Sequence, residues 1–180
     1  MTDPEILTIC GSLRAGSSNR MLLAEAVRLF GPCRHRELDI RLPLYDGDVE
    51  EAEGVPPEVR EAIDCIARAD AVIISTPEYN KGPSGALKNA LDWISRTPDK
   101  PWTNKPVAVM SAAMGRAGGE RAQLILRTFM VPFRTRLLQG PEVHLARSRN
   151  AFDEDGRLVT EHYVNDLTEL MKALRAEIER

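Results

Sequence analysis

Long apolar runs are missing from this sequence. None approaches the roughly 20 residues that a bilayer-crossing helix requires, so no membrane partner is expected. Cysteine is scarce: Cys10, Cys33 and Cys65 show neither C-x-x-C nor metal-ligand spacing, which argues against a disulfide scaffold or a cysteine metal site. An odd number of cysteines fits a reducing cytosol, so a cytoplasmic location is expected. The segment MTDPEILTIC lacks a basic stretch followed by an apolar one, and no export signal is expected. No single sign of charge dominates, and a formal net charge of −3 offers no basic field to nucleic acid. What remains is a globular balance, 43% hydrophobic and 28% charged over 180 residues, enough for one domain, 1–180, with a sizeable core.

Along the chain, two periodicities alternate. Ile6–Cys10 reads as a buried strand, and Leu22, Leu23, Ala26, Val27 and Phe30 then recur at helical spacing until Gly31-Pro32. His35–Ile40 reads as an edge strand, RLPLYDGD as a loop and EEAEGVPP as an acidic surface loop. Val59, Ala62, Ile63, Ile66 and Ala67 form a second helical stripe, followed by the strand Ala71–Ser75. A helix over 84–95, a turn-rich connection TPDKPWTNKP, a strand over 107–111 and a helix over 120–130 follow. An interrupted strand over 137–145 and a final helix striped by Val164, Leu167, Met171, Leu174 and Ile178 complete the pattern. Strands buried on both faces and separated by helices predict a parallel sheet covered on both sides. The expectation is an α/β three-layer sandwich with a five-stranded sheet in the order 2-1-3-4-5. In such sheets ligands sit beyond the carboxyl ends of the strands, so the corners after strands one, three and four carry the functional question.

The first corner reads GSLRAGSSNR, residues 11–20. Its spacing is neither that of a P-loop nor G-x-G-x-x-G. The acid expected about 20 residues on for a dinucleotide ribose has only Glu37 and Asp39 as candidates. What remains is a helix N-terminus with hydroxyl and amide donors at Ser12, Ser17, Ser18 and Asn19 and a guanidinium at Arg14. That set suits a terminal phosphate. The same residues also suit a plain helix start, with Ser17 or Ser18 as cap and Arg14 in solvent.

The second corner, STPEYNKGPSGALKNALDW over 75–93, presents Pro77, Glu78, Tyr79 and Asn80 at the end of the buried strand. An irregular loop with an aromatic face and free backbone groups suits a flat heterocycle. The plainer reading makes Tyr79 a loop aromatic and Asn80 a turn residue. Taken together, the two corners resemble the NAD(P)H-dependent FMN reductase family of the flavodoxin-like superfamily, which includes quinone, azo-dye and chromate reductases. The resemblance covers residues 6–119, and AFDEDGRL over 151–158 is similar to the family's C-terminal portion. It implies that Ser12, Arg14, Ser17 and Asn19, helped by Ser18, hold the FMN phosphate. It also implies that Pro77, Glu78, Tyr79 and Asn80 line the isoalloxazine and ribityl side. Lys81 departs from the small residue that many family members carry after PEYN.

The third corner, SAAMGRAGGER, ends a strand at Ser111 and continues through Gly115, Gly118 and Gly119. The resemblance implies that Ser111 and Gly115 belong to a thin loop along the ring edge. Arg116 and Arg121 are candidates for the extra phosphate of NADPH and equally for ordinary surface arginines. The implied activity is transfer of hydride from NADPH, with NADH as the alternative donor, through FMN to a small-molecule electron acceptor. The flavin carries the chemistry, so no catalytic acid, base or nucleophile is assigned. His35, His144 and His162 fall outside all three corners. The competing class is a flavodoxin-type electron carrier, against which the modest net charge argues. Family members are often homodimers or homotetramers, and Trp93, Trp102, Phe129 and Phe133 are candidates for an apolar association face.

Overall fold

The computed structural model describes residues 3–180. Its strands are β1 (Glu5–Cys10), β2 (Arg34–Leu38), β3 (Ala71–Thr76), β4 (Pro106–Ala112), β5 (Arg136–Leu137) and β6 (Val143–Leu145). Its helices are α1 (Ser18–Phe30), α2 (Gly47–Glu53), α3 (Pro57–Arg68), α4 (Gly85–Ile94), α5 (Glu120–Met130) and α6 (Glu161–Ile178). All strand pairings are parallel, in the order β2-β1-β3-β4-β5, with β6 also on β4. The expected flavodoxin-like order is therefore observed.

Strand alternation divides the core in two. Ile6, Cys10, Ala71, Ile73, Ala108 and Met110 face α1 and α6. Leu7, Ile9, Val72, Ile74, Val107 and Val109 face α3, α4 and α5. Each fully buried aliphatic side chain contributes about 2 kcal/mol, which is why the three central strands consist almost wholly of such residues. β2 is the exposed edge: Arg34 to Glu37 lie at the surface and only Leu38 is buried. Charged side chains there discourage pairing with another chain.

Three sequence expectations are corrected. Residues 47–53 form a short helix, not a loop. Asp46 accepts a hydrogen bond from Asp48 N at 2.9 Å, and Gly54 ends the helix at a φ of 77°. None of its residues is buried, so it carries no apolar stripe. Ala67 is exposed, and Cys65 completes the α3 stripe instead. Trp93 and Trp102 are core residues, not an association face. The interrupted last strand is real: β5 pairs with the start of β4 and β6 with its end. Pro141 lies in the gap, where it lacks the N–H a ladder needs.

The carboxyl ends of the central strands are tied together by one buried amide. Asn19 Oδ1 accepts from Ser75 Oγ at 2.7 Å and from Ala112 N at 3.0 Å, while Nδ2 donates to Ala112 O at 3.0 Å. Gly11 N donates to Ser75 O at 2.8 Å, and Ser84 Oγ donates to Gly11 O. A Cβ on Gly11 would stand 3.2 Å from Pro77 Cδ and Thr76 Cα, a tight contact that would push the ends of β1 and β3 apart by a few tenths of an ångström.

A second tie fixes the AFDEDGRL segment. Glu25 of α1, 2% exposed at its side chain, accepts from Arg28 at 2.8 and 3.0 Å, Arg157 at 2.9 Å and Leu158 N at 3.3 Å. Burial pushes its carboxyl up, but the bonds from Arg28, Arg157 and Leu158 outweigh burial and hold it below the ordinary glutamate value. A depressed folded pKa gives stability that is complete above the unfolded value and lost as pH falls through the folded one. Acid unfolding followed by circular dichroism is therefore expected to show a loss of stability below pH ~4 that is smaller in Glu25→Gln. The same variant loses about 2 kcal/mol at neutral pH. Asn19→Ala strands the Ala112 peptide and the Ser75 hydroxyl, and urea unfolding should register a loss of about 2–3 kcal/mol.

Candidate functional site

Beyond the carboxyl ends of β1, β3 and β4 lies a cleft of about 220 Å³ lined by the first corner, by Pro77, Glu78 and Tyr79, by Ala112–Met114 and by Ser148 and Arg149. The loop after β1 ends at Ser17, whose extended backbone (φ −79°, ψ 128°) and hydroxyl cap α1 by accepting from Asn19 N at 3.2 Å. The backbone N–H groups of Ala15, Gly16, Ser17 and Ser18 have no protein acceptor among the described residues. No acidic side chain occupies the first turn of α1. The positive end of the helix dipole is thus left open beside four free N–H donors. Arg14 is exposed and forms no ion pair among the described residues. This corner can hold a dianion.

The predicted site residues separate into two groups. Ser12, Arg14, Ser17, Ser18, Asn19, Pro77, Glu78 and Tyr79 all line the cleft. Several of them are already engaged within the protein. Ser12 Oγ accepts from Arg14 N at 3.4 Å, and Ser18 Oγ donates to Ser148 O at 3.4 Å. Asn19 points its amide at the strand ends. Glu78 Oε2 accepts from Arg121 N at 3.1 Å and Ala122 N at 3.2 Å, so its carboxylate fills the N-terminus of α5. Asn80, Ser111 and Gly115 do not reach this cleft. Asn80 and Lys81, at φ 51° and 70°, are the central pair of a tight turn closed by Tyr79 N to Gly82 O at 2.9 Å and Gly82 N to Tyr79 O at 3.1 Å. Ser111 is fully buried, and its hydroxyl donates to Gly118 O at 2.8 Å and accepts from Gln123 Nε2 at 3.3 Å. Gly118 is required because a Cβ there would lie 2.2 Å from His144 O. Ser148 and Arg149 were not anticipated. They follow β6 in a single helical turn, and the short motif SRN carried no signal.

A second cleft adjoins the first across Arg14 and Tyr79, bounded by Gly11, Leu13 and Ser84–Ala86. It opens onto a broader one under the loop Ile40–Leu44. That loop is anchored on α4: Asn89 Nδ2 and Trp93 Nε1 each donate to Pro43 O at 2.8 Å, and Tyr45 packs edge-on against Trp93 at 5.0 Å. Leu13, Tyr79 and Leu44 stand exposed along this path, Leu44 at 84%. The corner with the open helix terminus thus continues into an apolar shelf. The pair matches a flat heterocycle bearing a phosphate tail, and the residues present fit flavin mononucleotide.

Known proteins agree with that fit. Residues 4–150 match the family model described as NADPH-dependent FMN reductase. An NAD(P)H-dependent FMN reductase of Pseudomonas aeruginosa is 42% identical over 99% of this chain and 97% of its own length. A quinone reductase of Escherichia coli is 36% identical over 98% and 96%. Among solved structures, the flavoenzyme NAD(P)H:(acceptor) oxidoreductase FerB from Paracoccus denitrificans superposes with a TM-score of 0.88 at 31% identity, covering 98% of this chain and 97% of that one. With an anion corner, an adjoining apolar shelf and relatives matched end to end, this chain belongs to the NADPH-dependent FMN reductase family.

Proposed function

We propose that this chain, acting as one unit over 1–180, holds FMN at the carboxyl edge of its sheet and passes electrons from NAD(P)H to a small quinone-type acceptor. The observation that carries the reading is the row of free N–H groups over 15–18 at an α1 terminus without acidic residues. FMN, when bound, supplies the two-electron chemistry that no side chain here offers. The protein's share is binding and access. The loop N–H groups, Arg14 and Arg149 hold the phosphate. Pro77 and Tyr79 border the ring, and the shelf from Leu13 to Leu44 admits donor and acceptor in turn. Glu78 and Asn19 act by fixing the walls. Glu78 holds the loop after β3 against α5, and Asn19 holds the start of α1 against β3 and β4.

Around the same edge, Arg116, Arg121 and Arg147 are exposed and form no ion pairs with carboxylates among the described residues. Free guanidiniums beside a dinucleotide site favour NADPH over NADH through its additional phosphate. A homodimer or homotetramer is part of the reading, supported by apolar side chains exposed away from that shelf, among them Val49, Leu124 and Val131. So is a cytoplasmic location. All three cysteines are free, and burial pushes the Cys10 and Cys33 thiols up, which lowers their thiolate fraction.

The purified protein should be yellow, or become so with added FMN, and should oxidise NADPH when a quinone is supplied. A colourless protein that takes up no FMN overturns the reading. Arg14→Ala should raise the Kd for FMN about tenfold, read from flavin fluorescence. Arg116→Ala with Arg121→Ala should raise KM for NADPH about three- to tenfold while leaving NADH unchanged. Sedimentation equilibrium at micromolar concentration should give a dimer or tetramer mass; a monomer refutes the association.

A further inference from the structure

The phosphate corner has a reverse side. Beside the loop lies a further cleft, lined by Leu13, Arg20, Glu37, Asp39 and Arg41 together with apolar side chains. Two guanidiniums reach across it to the carbonyl oxygens of the corner. Arg20 Nη1 donates to Arg14 O at 2.6 Å and to Ala15 O at 3.4 Å, and Arg41 Nη2 donates to Leu13 O at 2.9 Å. Each is held by an acid at the end of the edge strand. Arg20 Nε lies 2.8 Å from Glu37 Oε1, and Arg41 Nη1 lies 3.1 Å from Asp39 Oδ1, which also accepts Arg41 N at 3.0 Å.

We infer that Arg20 and Arg41, aimed by Glu37 and Asp39, are positioning residues for the FMN site: they clamp three consecutive carbonyls of the loop on its outer side so that its N–H groups stay turned toward the phosphate. The inference rests on the FMN reading above. A loop can present several N–H groups to an anion only if the intervening carbonyls face away, because a carbonyl oxygen beside a phosphate repels it. Water could solvate those carbonyls, but it would not hold them in one place. A guanidinium does so through several fixed donors, with charge-assisted bonds stronger than neutral ones.

Two local oddities support this role. Arg20 sits in the first turn of α1, where a cation opposes the helix dipole. Such a placement is a local conflict that a direct phosphate contact would resolve. Instead the guanidinium turns back to carbonyls and to Glu37, which raises its pKa. The second oddity is β2, an almost wholly exposed edge strand that contributes one buried residue to the core. Its carboxyl end supplies both acids of the clamp, and Glu37 and Asp39 gain a purpose other than binding a dinucleotide ribose.

The test compares FMN with riboflavin, which lacks the phosphate, by fluorescence titration of flavin-depleted protein, alongside melting temperature. The decisive variant is Glu37→Gln. Removing a negative charge near an anion site should tighten FMN binding by Coulomb's law alone; release of the clamp should weaken it. We expect FMN to bind about three- to tenfold more weakly, with riboflavin within about twofold of the parent. Arg20→Met should weaken FMN about tenfold. Arg20→Lys, which keeps the charge without the fork, should not restore it. FMN binding that tightens or stays constant in Glu37→Gln overturns the clamp. So does a parallel loss of both flavins, or full rescue by Arg20→Lys. A parent protein that holds FMN and riboflavin equally overturns the phosphate site itself and the clamp with it. A parent that discriminates, with Glu37→Gln and Arg20→Met discriminating to the same degree, overturns the clamp alone.

Discussion

The site depends on a buried side-chain amide. Asn19 joins the start of α1 to the ends of β3 and β4 through three hydrogen bonds in an environment with little water. Bonds of this kind gain strength in a low-dielectric interior and are costly to leave half made. They hold all three corners in one geometry, and Ser84 bonding the carbonyl of Gly11 ties the second corner to the first again. The loops around the cleft can then be irregular and exposed, because the points from which they leave the sheet are fixed.

Helix termini divide the work at that edge. The three helices that follow β1, β3 and β4 all begin at the carboxyl end of the sheet, so three positive dipole ends converge there. α5 is neutralised from within by the carboxylate of Glu78. α4 is capped by Ser84, whose hydroxyl accepts Leu87 N at 3.2 Å. α1 has no acidic residue in its first turn, and Arg14 and Arg149 line the cleft beside it. On a chain with a net charge of −3, the local field of such a terminus acts over a shorter range than the screened surface charge and is not cancelled by it. The AFDEDGRL segment contributes from further away. It packs on α1 through Glu25 and follows directly on the turn that carries Ser148 and Arg149.

Much of this was legible in the chain. The period-two strands and 3.6-period helices were read close to their observed bounds, and the sheet order followed from their alternation. Residues from both corners, Ser12, Arg14 and Ser17–Asn19 of the first and Pro77–Tyr79 of the second, meet in one cleft. The roles within them were less legible. Ser17 is the helix cap of the plainer reading and also lines the anion corner. Asn80 shapes a turn, and Ser111 bonds the Gly118 carbonyl beneath the glycine loop. Helix α2 escaped because it buries nothing, so only its Asp46 cap and Gly54 stop mark it. Ser148 and Arg149 escaped because a short polar turn after a strand looks like any other.

The sequence alone determined the layers, the strand order and the three corners, because apolar periodicity is a local property and the hydrophobic effect acts on it without regard to direction. The tertiary structure decided which polar groups face the ligand and which face the protein. Asn19 and Ala112 are 93 positions apart, and Glu78 and Arg121 are 43 apart. A hydrogen bond is short and directional, so its partner is known only once the fold has brought the two groups within about 3 Å. Neither residue type nor neighbouring sequence holds that information.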